Sequence, residues 1–147
     1  MLAFLGFWVL PSRDAAAEQL HFAKRLTTTQ TDCLAKLLSG PDRESDPGEK
    51  LELTKTAQVA TAVFGDNQRT QSVYLFKSTE FCDGSSCLMM IAESDRDGGC
   101  RLIGNFHGDI PFIVRHERDH GYRRFGSPCE WRFDGQQYQL VHGDCRT

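Results

Sequence analysis

The segment from His116 to His120 matches the pattern H-E-x-x-H. On a helix, the two histidines of this pattern share one face and bind zinc, while the glutamate Glu117 activates water for hydrolysis. The neighbouring residues do not favour a helix, because the run Ile110 to Val114 is typical of a strand and Gly121 follows the second histidine directly. We therefore predict the end of a strand and a turn with solvated side chains, and keep a small secreted zinc hydrolase as an alternative.

A zinc site would need a third ligand, and a hydrolase of another type would need a nucleophile. The candidates for the third ligand are Glu130, His142 and Asp144. No usual ligand spacing points to any of them. His107 and Asp109 could act as a general base with an orienting carboxylate, but no serine or threonine lies on a recognisable nucleophile elbow. We predict a polar turn at residues 107–109, and no catalytic residue, metal or cofactor in the chain.

The chain contains six cysteines, which are Cys33, Cys82, Cys87, Cys100, Cys129 and Cys145. An even number of cysteines in a short chain that is exported is typical of disulfides, here three of them. Zinc is the competing use, but it needs close pairs such as Cys-x-x-Cys, and the chain has none. A glycine-containing turn between Cys82 and Cys87 predicts that these two are paired. The other four cysteines allow three pairings, which stay open.

The first residues resemble an export signal. Leu2 to Leu10 is an unbroken apolar stretch, and the small residues Ala15 to Ala17 follow shortly after it. This order predicts a signal peptide over residues 1–17, with cleavage after Ala17. No lysine or arginine precedes the apolar run, and the alternative is a buried first strand or helix. We expect one domain over residues 18–147 in the periplasm or outside the cell.

Overall charge and apolar content exclude some classes of protein. The chain has 147 residues, a formal net charge of −3 and a pI near 5.9, which argues against a dedicated nucleic-acid binder. No apolar run is long enough to span a bilayer. With 39% apolar and 25% charged residues, the composition is that of a globular domain.

Basic residues cluster around one turn. The residues that we predict to bind a partner are Arg115, Arg118, His120, Tyr122, Arg123 and Arg124. Arginine suits the bidentate recognition of carboxylates and is common at interfaces. The cluster therefore predicts a hairpin tip that enters an acidic surface or cleft of another protein. The alternative is a solvated hairpin end whose charges pair with one another.

Helical spacing of apolar residues predicts a helix over Glu18 to Leu38, which ends at Gly40 and Pro41. The β-branched run Thr27 to Thr31 weakens its middle. Two short helices, the second capped by Thr31 or Asp32, are the alternative. Asp42 to Lys50 is predicted to be an acidic loop, and strands are expected from Leu51 onward.

The predicted strands are Val59 to Phe64, Val73 to Phe76, Cys87 to Ala92, Cys100 to Phe106, Ile110 to His116 and Tyr122 to Phe125, with a break near Gly108 and a turn at 117–121. Val73 to Phe76 is expected to pair with Cys87 to Ala92. Together with a final hairpin, these runs predict an α+β fold. Its N-terminal helix packs on an antiparallel meander of about 6–8 short strands.

Asp134-Gly135 predicts a two-residue turn in the final hairpin. In that register Phe133 lies opposite Gln136, Trp131 opposite Tyr138, and Cys129 opposite Leu140. Trp131 and Tyr138 then share one face of the sheet as an aromatic pair, which is ordinary core packing.

About half of the chain resembles a loose group of small exported bacterial proteins, which contain disulfides and have no settled function. The resemblance rests on four stretches, which are Phe81 to Cys87, Ile110 to Val114, Gly121-Tyr122, and Trp131 to Tyr138. These are turns and a disulfide motif, so the resemblance implies a fold and an export route and identifies no functional residue.

These observations predict a non-catalytic exported binding domain, specifically an inhibitor or immunity protein that blocks a partner enzyme. The size, the disulfides and the basic hairpin motivate this prediction. The alternatives are the zinc hydrolase that uses the 116–120 segment, and a structural component of the cell envelope.

Overall fold

The computed structural model describes residues 17–40, 46–65, 69–126 and 129–141. These residues form two helices and ten strands. The helices are α1 (Thr28–Leu38) and α2 (Pro47–Thr56). The strands are β1 (Glu18–Gln19), β2 (Ala57–Ala62), β3 (Gln71–Phe76), β4 (Cys82–Asp83), β5 (Ser86–Ser94), β6 (Cys100–Asp109), β7 (Ile113–Asp119), β8 (Tyr122–Phe125), β9 (Trp131–Phe133) and β10 (Tyr138–Leu140).

The predicted α+β class agrees with this mixture of two helices and antiparallel strands. The first sheet has the order β2-β3-β5-β4, and β6 also pairs with β5. Strands β3 and β4 pair with different stretches of one edge of β5, and β6 pairs with its other edge. The second sheet has the order β1-β7-β8-β9-β10. The described residues thus form more strands than the predicted 6–8, and the two additional strands, β1 and β4, are only two residues long.

Strand β3 shows how the layers are arranged. All six of its residues are buried, so the strand is covered on both faces. Val73 and Leu75 belong to the core that also contains the second sheet, whereas Tyr74 and Phe76 belong to a core with the residues of α1 and α2. Since successive side chains of a strand point to opposite faces, the first sheet lies between the helices and the second sheet.

The predicted N-terminal helix from Glu18 to Leu38 is wrong in about its first half. Residues 18–19 form β1, which pairs with β7, and the helix begins at Thr28. A capping box sets this start: the Thr27 hydroxyl accepts a hydrogen bond from the Gln30 amide (3.2 Å), and the Gln30 side chain accepts one from the Thr27 amide (2.9 Å). The helix is therefore capped by Thr27 and not by Thr31 or Asp32.

Helix α2 occupies residues that were predicted to be a loop and the beginning of the strands. Pro47 lies in its first turn, where proline is favoured because its missing N–H has no partner to lose. Leu53 is the only residue of α2 that is buried. A helix with one buried side chain has almost no apolar periodicity, which explains why the sequence pattern did not reveal it.

Two predicted turns are displaced. Strand β6 continues through Gly108 to Asp109, so the predicted break and the polar turn at 107–109 are wrong. The turn between β7 and β8 is tighter than the predicted 117–121, with Asp119 opposite Tyr122. His120 and Gly121 form this turn with φ of 49° and 82°, which are the positive values that suit a two-residue hairpin.

The final hairpin is shifted by two residues from the predicted register. Phe133 lies opposite Tyr138, and Trp131 lies opposite Leu140. The cause is the Asp134 carboxylate, which accepts hydrogen bonds from the amides of Gln136 (2.8 Å) and Gln137 (2.9 Å) and thereby closes a four-residue loop. A shift of two keeps every side chain on its predicted face of the sheet.

The predicted pairing of Cys82 with Cys87 is confirmed, and it closes the hairpin between β4 and β5. A second disulfide joins Cys33 of α1 to Cys100 at the beginning of β6. Cys129 is also disulfide-bonded, and Cys145 lies outside the described residues. Disulfides of this kind fit an extracellular or periplasmic protein. Neither described helix is long and apolar enough to cross a membrane.

The two described disulfides should differ in their contribution to stability. Cys33–Cys100 closes a loop with a sequence separation of 67, and Cys82–Cys87 closes one with a separation of 5. Because the entropy of loop closure grows with loop length, replacing the first pair by alanine should lower the free energy of unfolding by about 4 kcal/mol, and the second by about 2 kcal/mol. Urea unfolding of the two double variants measures both values. An equal loss in both, or the reverse order, would contradict the assignment of Cys33–Cys100 as the principal covalent link between helix and sheet.

Candidate functional site

The H-E-x-x-H segment lies on a strand and a turn. Residues 116–119 belong to β7, and His120 is the first residue of the turn. Side chains alternate between the faces of a strand, so the shared helical face that this motif needs is not formed. His116, Glu117 and His120 are exposed. Within the described ranges, no group of three or more His, Cys, Asp or Glu side chains is placed to hold a metal ion.

Of the three residues considered as a further zinc ligand, one lies within the described residues. Glu130 accepts hydrogen bonds from three guanidinium groups, those of Arg115 (3.0 Å), Arg124 (3.0 Å) and Arg132 (2.9 Å). His142 and Asp144 lie outside the described residues. Glu130 therefore serves as the centre of an arginine cluster in the second sheet.

The predicted partner-binding residues do come together, but their charges are largely balanced within the chain. Arg124 forms two hydrogen bonds with the Asp119 carboxylate (2.6 and 3.0 Å) in addition to its bond with Glu130. These bonds from Arg124 hold the pKa of Asp119 below its ordinary value, so the carboxylate and the guanidinium group both stay charged. Arg115 contacts Glu117 at 4.0 Å as well as Glu130.

Two further arginines of this hairpin support the backbone. Arg118 donates to the carbonyl oxygens of Phe64 (3.0 Å) and Gly121 (2.9 Å). Arg123 donates to the carbonyl of Arg115 (2.7 Å) and lies 3.4 Å from the Glu18 carboxylate. Because these contacts stabilise the hairpin, the four arginines meet the description of a self-paired hairpin end, and their role in binding a partner stays a prediction.

Tyr122, the last of the predicted partner-binding residues, is buried and belongs to a different network. Its hydroxyl donates to Oε2 of Glu93 at 2.6 Å. Glu93 lies on β5, and its side chain is only 1% exposed. The same oxygen accepts a hydrogen bond from Gln71 Nε2 (2.8 Å), while Oε1 accepts one each from Arg69 and Arg101 (both 3.1 Å).

Glu93 thus joins the two sheets. Gln71 lies opposite Glu93 in the β3–β5 pair, and Tyr122 begins β8 of the second sheet. Gln71 continues the network, because its Oε1 accepts a hydrogen bond from the Phe64 amide (2.7 Å). The carbonyl of Phe64 in turn accepts one from the Arg123 amide (2.8 Å).

Burial alone would raise the pKa of the Glu93 carboxyl group. The hydrogen bonds from Tyr122, Gln71 and Arg69, together with the charge of Arg101, outweigh this effect and hold the pKa below its ordinary value of 4.5. Both carboxylate oxygens are occupied by donors, so the group suits the joining of two sheets better than proton transfer. Sequence reasoning missed Glu93, because the predicted pairing of 73–76 with 87–92 carried no register; the register of the structure places Gln71 opposite Glu93.

A cavity opens on the side of the molecule where β5 begins at Ser86, at the end of this strand opposite to Glu93. Within the described residues, β6 pairs only with β5 and β10 pairs only with β9, so the two sheets are not joined by strand pairing along this side. We call this boundary between β6 and β10 the seam. The cavity at the seam has a volume of ≈ 230 Å³. It is lined by Ser86, Phe106, His107, Gly108, Asp109, Phe112, Phe125, Gly126, Cys129, Trp131 and Leu140.

Aromatic rings form much of the wall of the seam cavity. The ring centroid of Phe106 lies 4.5 Å from that of Trp131 and 4.9 Å from that of Phe125. Phe112 stacks on Phe125 at 4.8 Å. Distances of this kind are typical of offset-stacked aromatic pairs.

Gly108 is needed for this arrangement. A β-carbon at Gly108 would lie 2.8 Å from a ring carbon of Phe106 and 3.1 Å from the sulfur of Met89. The Phe106 ring can therefore lie along the strand only because residue 108 has no side chain. The segment 107–109, which the sequence suggested as a general base and carboxylate, instead contributes to the cavity wall.

No family model, curated protein or solved structure matches this chain.

Replacing Glu93 by glutamine should destabilise the protein and remove part of its acid sensitivity. Arg69 and Arg101 would lose their contact with the Glu93 carboxylate, although Arg69 also contacts Asp95 (3.3 Å). We expect this loss to cost about 3 kcal/mol near pH 7, at the low end for breaking a buried ion pair because both arginines are half exposed. Since the folded-state pKa of Glu93 is lowered, its contribution is present above pH 4.5 and is lost as the pH falls through the folded pKa. Below that range the variant and the unmodified protein should converge.

The matched control is Glu80→Gln, which removes the same charge from an exposed turn residue. Urea unfolding between pH 7 and low pH compares the three proteins. The assignment of Glu93 would be refuted if Glu93→Gln changed the free energy of unfolding no more than Glu80→Gln, or if its loss of stability were the same at every pH.

Proposed function

We propose that this chain is an exported, non-catalytic binding domain that holds a partner protein at the seam cavity. The observation that carries the proposal is the combination of an aromatic-walled cavity with an exposed apolar residue at its edge, Leu140, which is 37% exposed. Protein interfaces are centred on pockets that receive large apolar or aromatic side chains. The cavity is on the surface and provides such a pocket.

An inhibitor or immunity protein is the specific form of this proposal. Such a protein acts by covering its partner, so it needs a rigid surface more than it needs reactive groups. Two described disulfides and the strand β3, which is buried on both faces, supply rigidity, which reduces the conformational entropy lost on binding.

The basic hairpin gives weaker support for a partner with an acidic surface. Its arginines already contact Asp119, Glu130 and main-chain carbonyls, and any outside carboxylate would compete with these groups. Reversing the charge of Arg118 and Arg123 would also disturb the hairpin, because both donate to carbonyl oxygens. We therefore place the principal contact at the seam.

Export is supported by two features of different kinds. The apolar stretch from Leu2 to Leu10 followed by Ala15 to Ala17 has the order of a signal peptide, and it lies outside the described residues. The described disulfides fit an oxidising compartment.

Substitution at the edge of the cavity tests the proposed contact. Leu140→Glu places a charge where the partner's apolar surface would pack, and it should weaken the complex at least about tenfold. Leu102→Glu is the matched control, since Leu102 is also a strand leucine with 37% exposure and does not line the cavity. The purified proteins are cross-linked in an envelope extract of the native host, and any captured protein is then titrated against each variant.

A partner that binds the unmodified protein and Leu102→Glu equally, but binds Leu140→Glu weakly, supports the proposal. A partner that binds all three proteins equally places the contact elsewhere, and equal loss in both variants points to a general effect of the added charge. The absence of any cross-linked protein would count against a protein-binding role.

Export predicts a defined mass for the protein recovered from its native host. The mass should correspond to residues 18–147 less six hydrogens, with no alkylation of thiols after denaturation. Mass spectrometry with and without reduction measures this directly. A chain that retains residues 1–17 and carries free thiols would place the protein in a reducing compartment and would overturn the proposal of export.

A further inference from the structure

We infer that the seam cavity accepts one uncharged aromatic side chain, presented by the partner protein. The inference rests on the proposed function and specifies what the partner inserts. It follows from the size of the cavity, the chemistry of its wall and the charge of its lining.

Size restricts the occupant to a single ring. A cavity of roughly 150 Å³ with an apolar lining binds benzene, whereas pockets for drug-sized ligands or cofactors measure roughly 300–1,000 Å³. The seam cavity, at ≈ 230 Å³, lies between these values. It has room for one ring and its attachment to a chain, and too little room for a nucleotide, a haem or a long acyl chain.

The wall favours a flat ring over a branched aliphatic group. Phe106, Phe125 and Trp131 approach one another with interplanar angles of 30°, 35° and 10°. Since Phe106 and Phe125 are only 6% and 1% exposed, a further ring would extend this stack at Trp131. An aromatic pair contributes more than its buried area alone. Trp131 is only partly buried, so part of its indole remains available for contact.

The residues that line the cavity also disfavour an acidic occupant. Among the described residues that line the cavity, His107 and Asp109 are the titratable ones, and neither lysine nor arginine is present. Among these described residues a phosphate or carboxylate would find no lysine or arginine, and it would lie near the carboxyl group of Asp109, which is unfavourable away from water. Phenylalanine is therefore a better occupant than an acidic ligand.

The experiment uses two blocked tripeptides, acetyl-Ser-Phe-Ser-amide and acetyl-Ser-Ala-Ser-amide, and toluene as a free ring. Each is titrated into the full-length, isotope-labelled protein, and the NMR signals of the Trp131 indole N–H and the Gly108 and Gly126 amides are followed. We expect the phenylalanine peptide to shift these three signals with saturation, and the alanine peptide to leave them unchanged. Leu140→Glu should weaken the binding of the phenylalanine peptide at least about tenfold relative to Leu102→Glu.

Several results would overturn the inference. If both peptides act alike, the ring is not recognised; if toluene saturates the site and the phenylalanine peptide does not, the cavity takes a free small molecule and not a side chain. If no probe shifts the signals, the cavity does not bind an aromatic ring. If partner capture still depends on Leu140 in that case, the proposed function would stand, and only the identity of the side chain that the partner inserts would be wrong.

Discussion

The buried carboxylate of Glu93 is the contact on which the arrangement of the two sheets depends. It lies on β5 of the first sheet and accepts a hydrogen bond from Tyr122 at the beginning of β8 in the second sheet. A charge taken out of water is tolerated only when donors surround it, and here four donors do so. The network thus favours one relative placement of the sheets, because any other would cost the carboxylate its hydrogen bond from Tyr122, the one of these four donors that lies in the second sheet.

The sheets are joined on one side and separate on the other. Besides the Glu93 network, bridges from Ala23 to Val59 and from Gly65 to Tyr122 connect the sheets or the segments leading into them. The seam between β6 and β10 has no such pairing among the described residues. Aromatic side chains do not close this side completely, since Phe106 and Trp131 pack at an interplanar angle of 35° and a cavity remains beside them. The cavity is therefore a consequence of how the sheets are held.

Local signals in the sequence were sufficient for some of this structure. The turn between Cys82 and Cys87 and the pairing of 73–76 with 87–92 follow from short-range patterns, and both are confirmed. Helix α2 was missed because Leu53 is its single buried residue, and the final register was wrong because a side chain, Asp134, closes the loop. The Glu93 network and the cavity join residues from distant strands, and no local pattern indicates which strands meet.

The central claim is that the seam contains an accessible apolar cavity walled by aromatic rings. Diffraction from crystals of the protein under xenon pressure tests it most directly, because xenon enters apolar cavities and scatters strongly. We predict an ordered xenon site in the seam cavity of the unmodified protein, against the wall to which Phe106, Phe125 and Trp131 contribute. A crystal structure in which the space is filled by the chain's own residues, with no xenon bound there, would contradict the account.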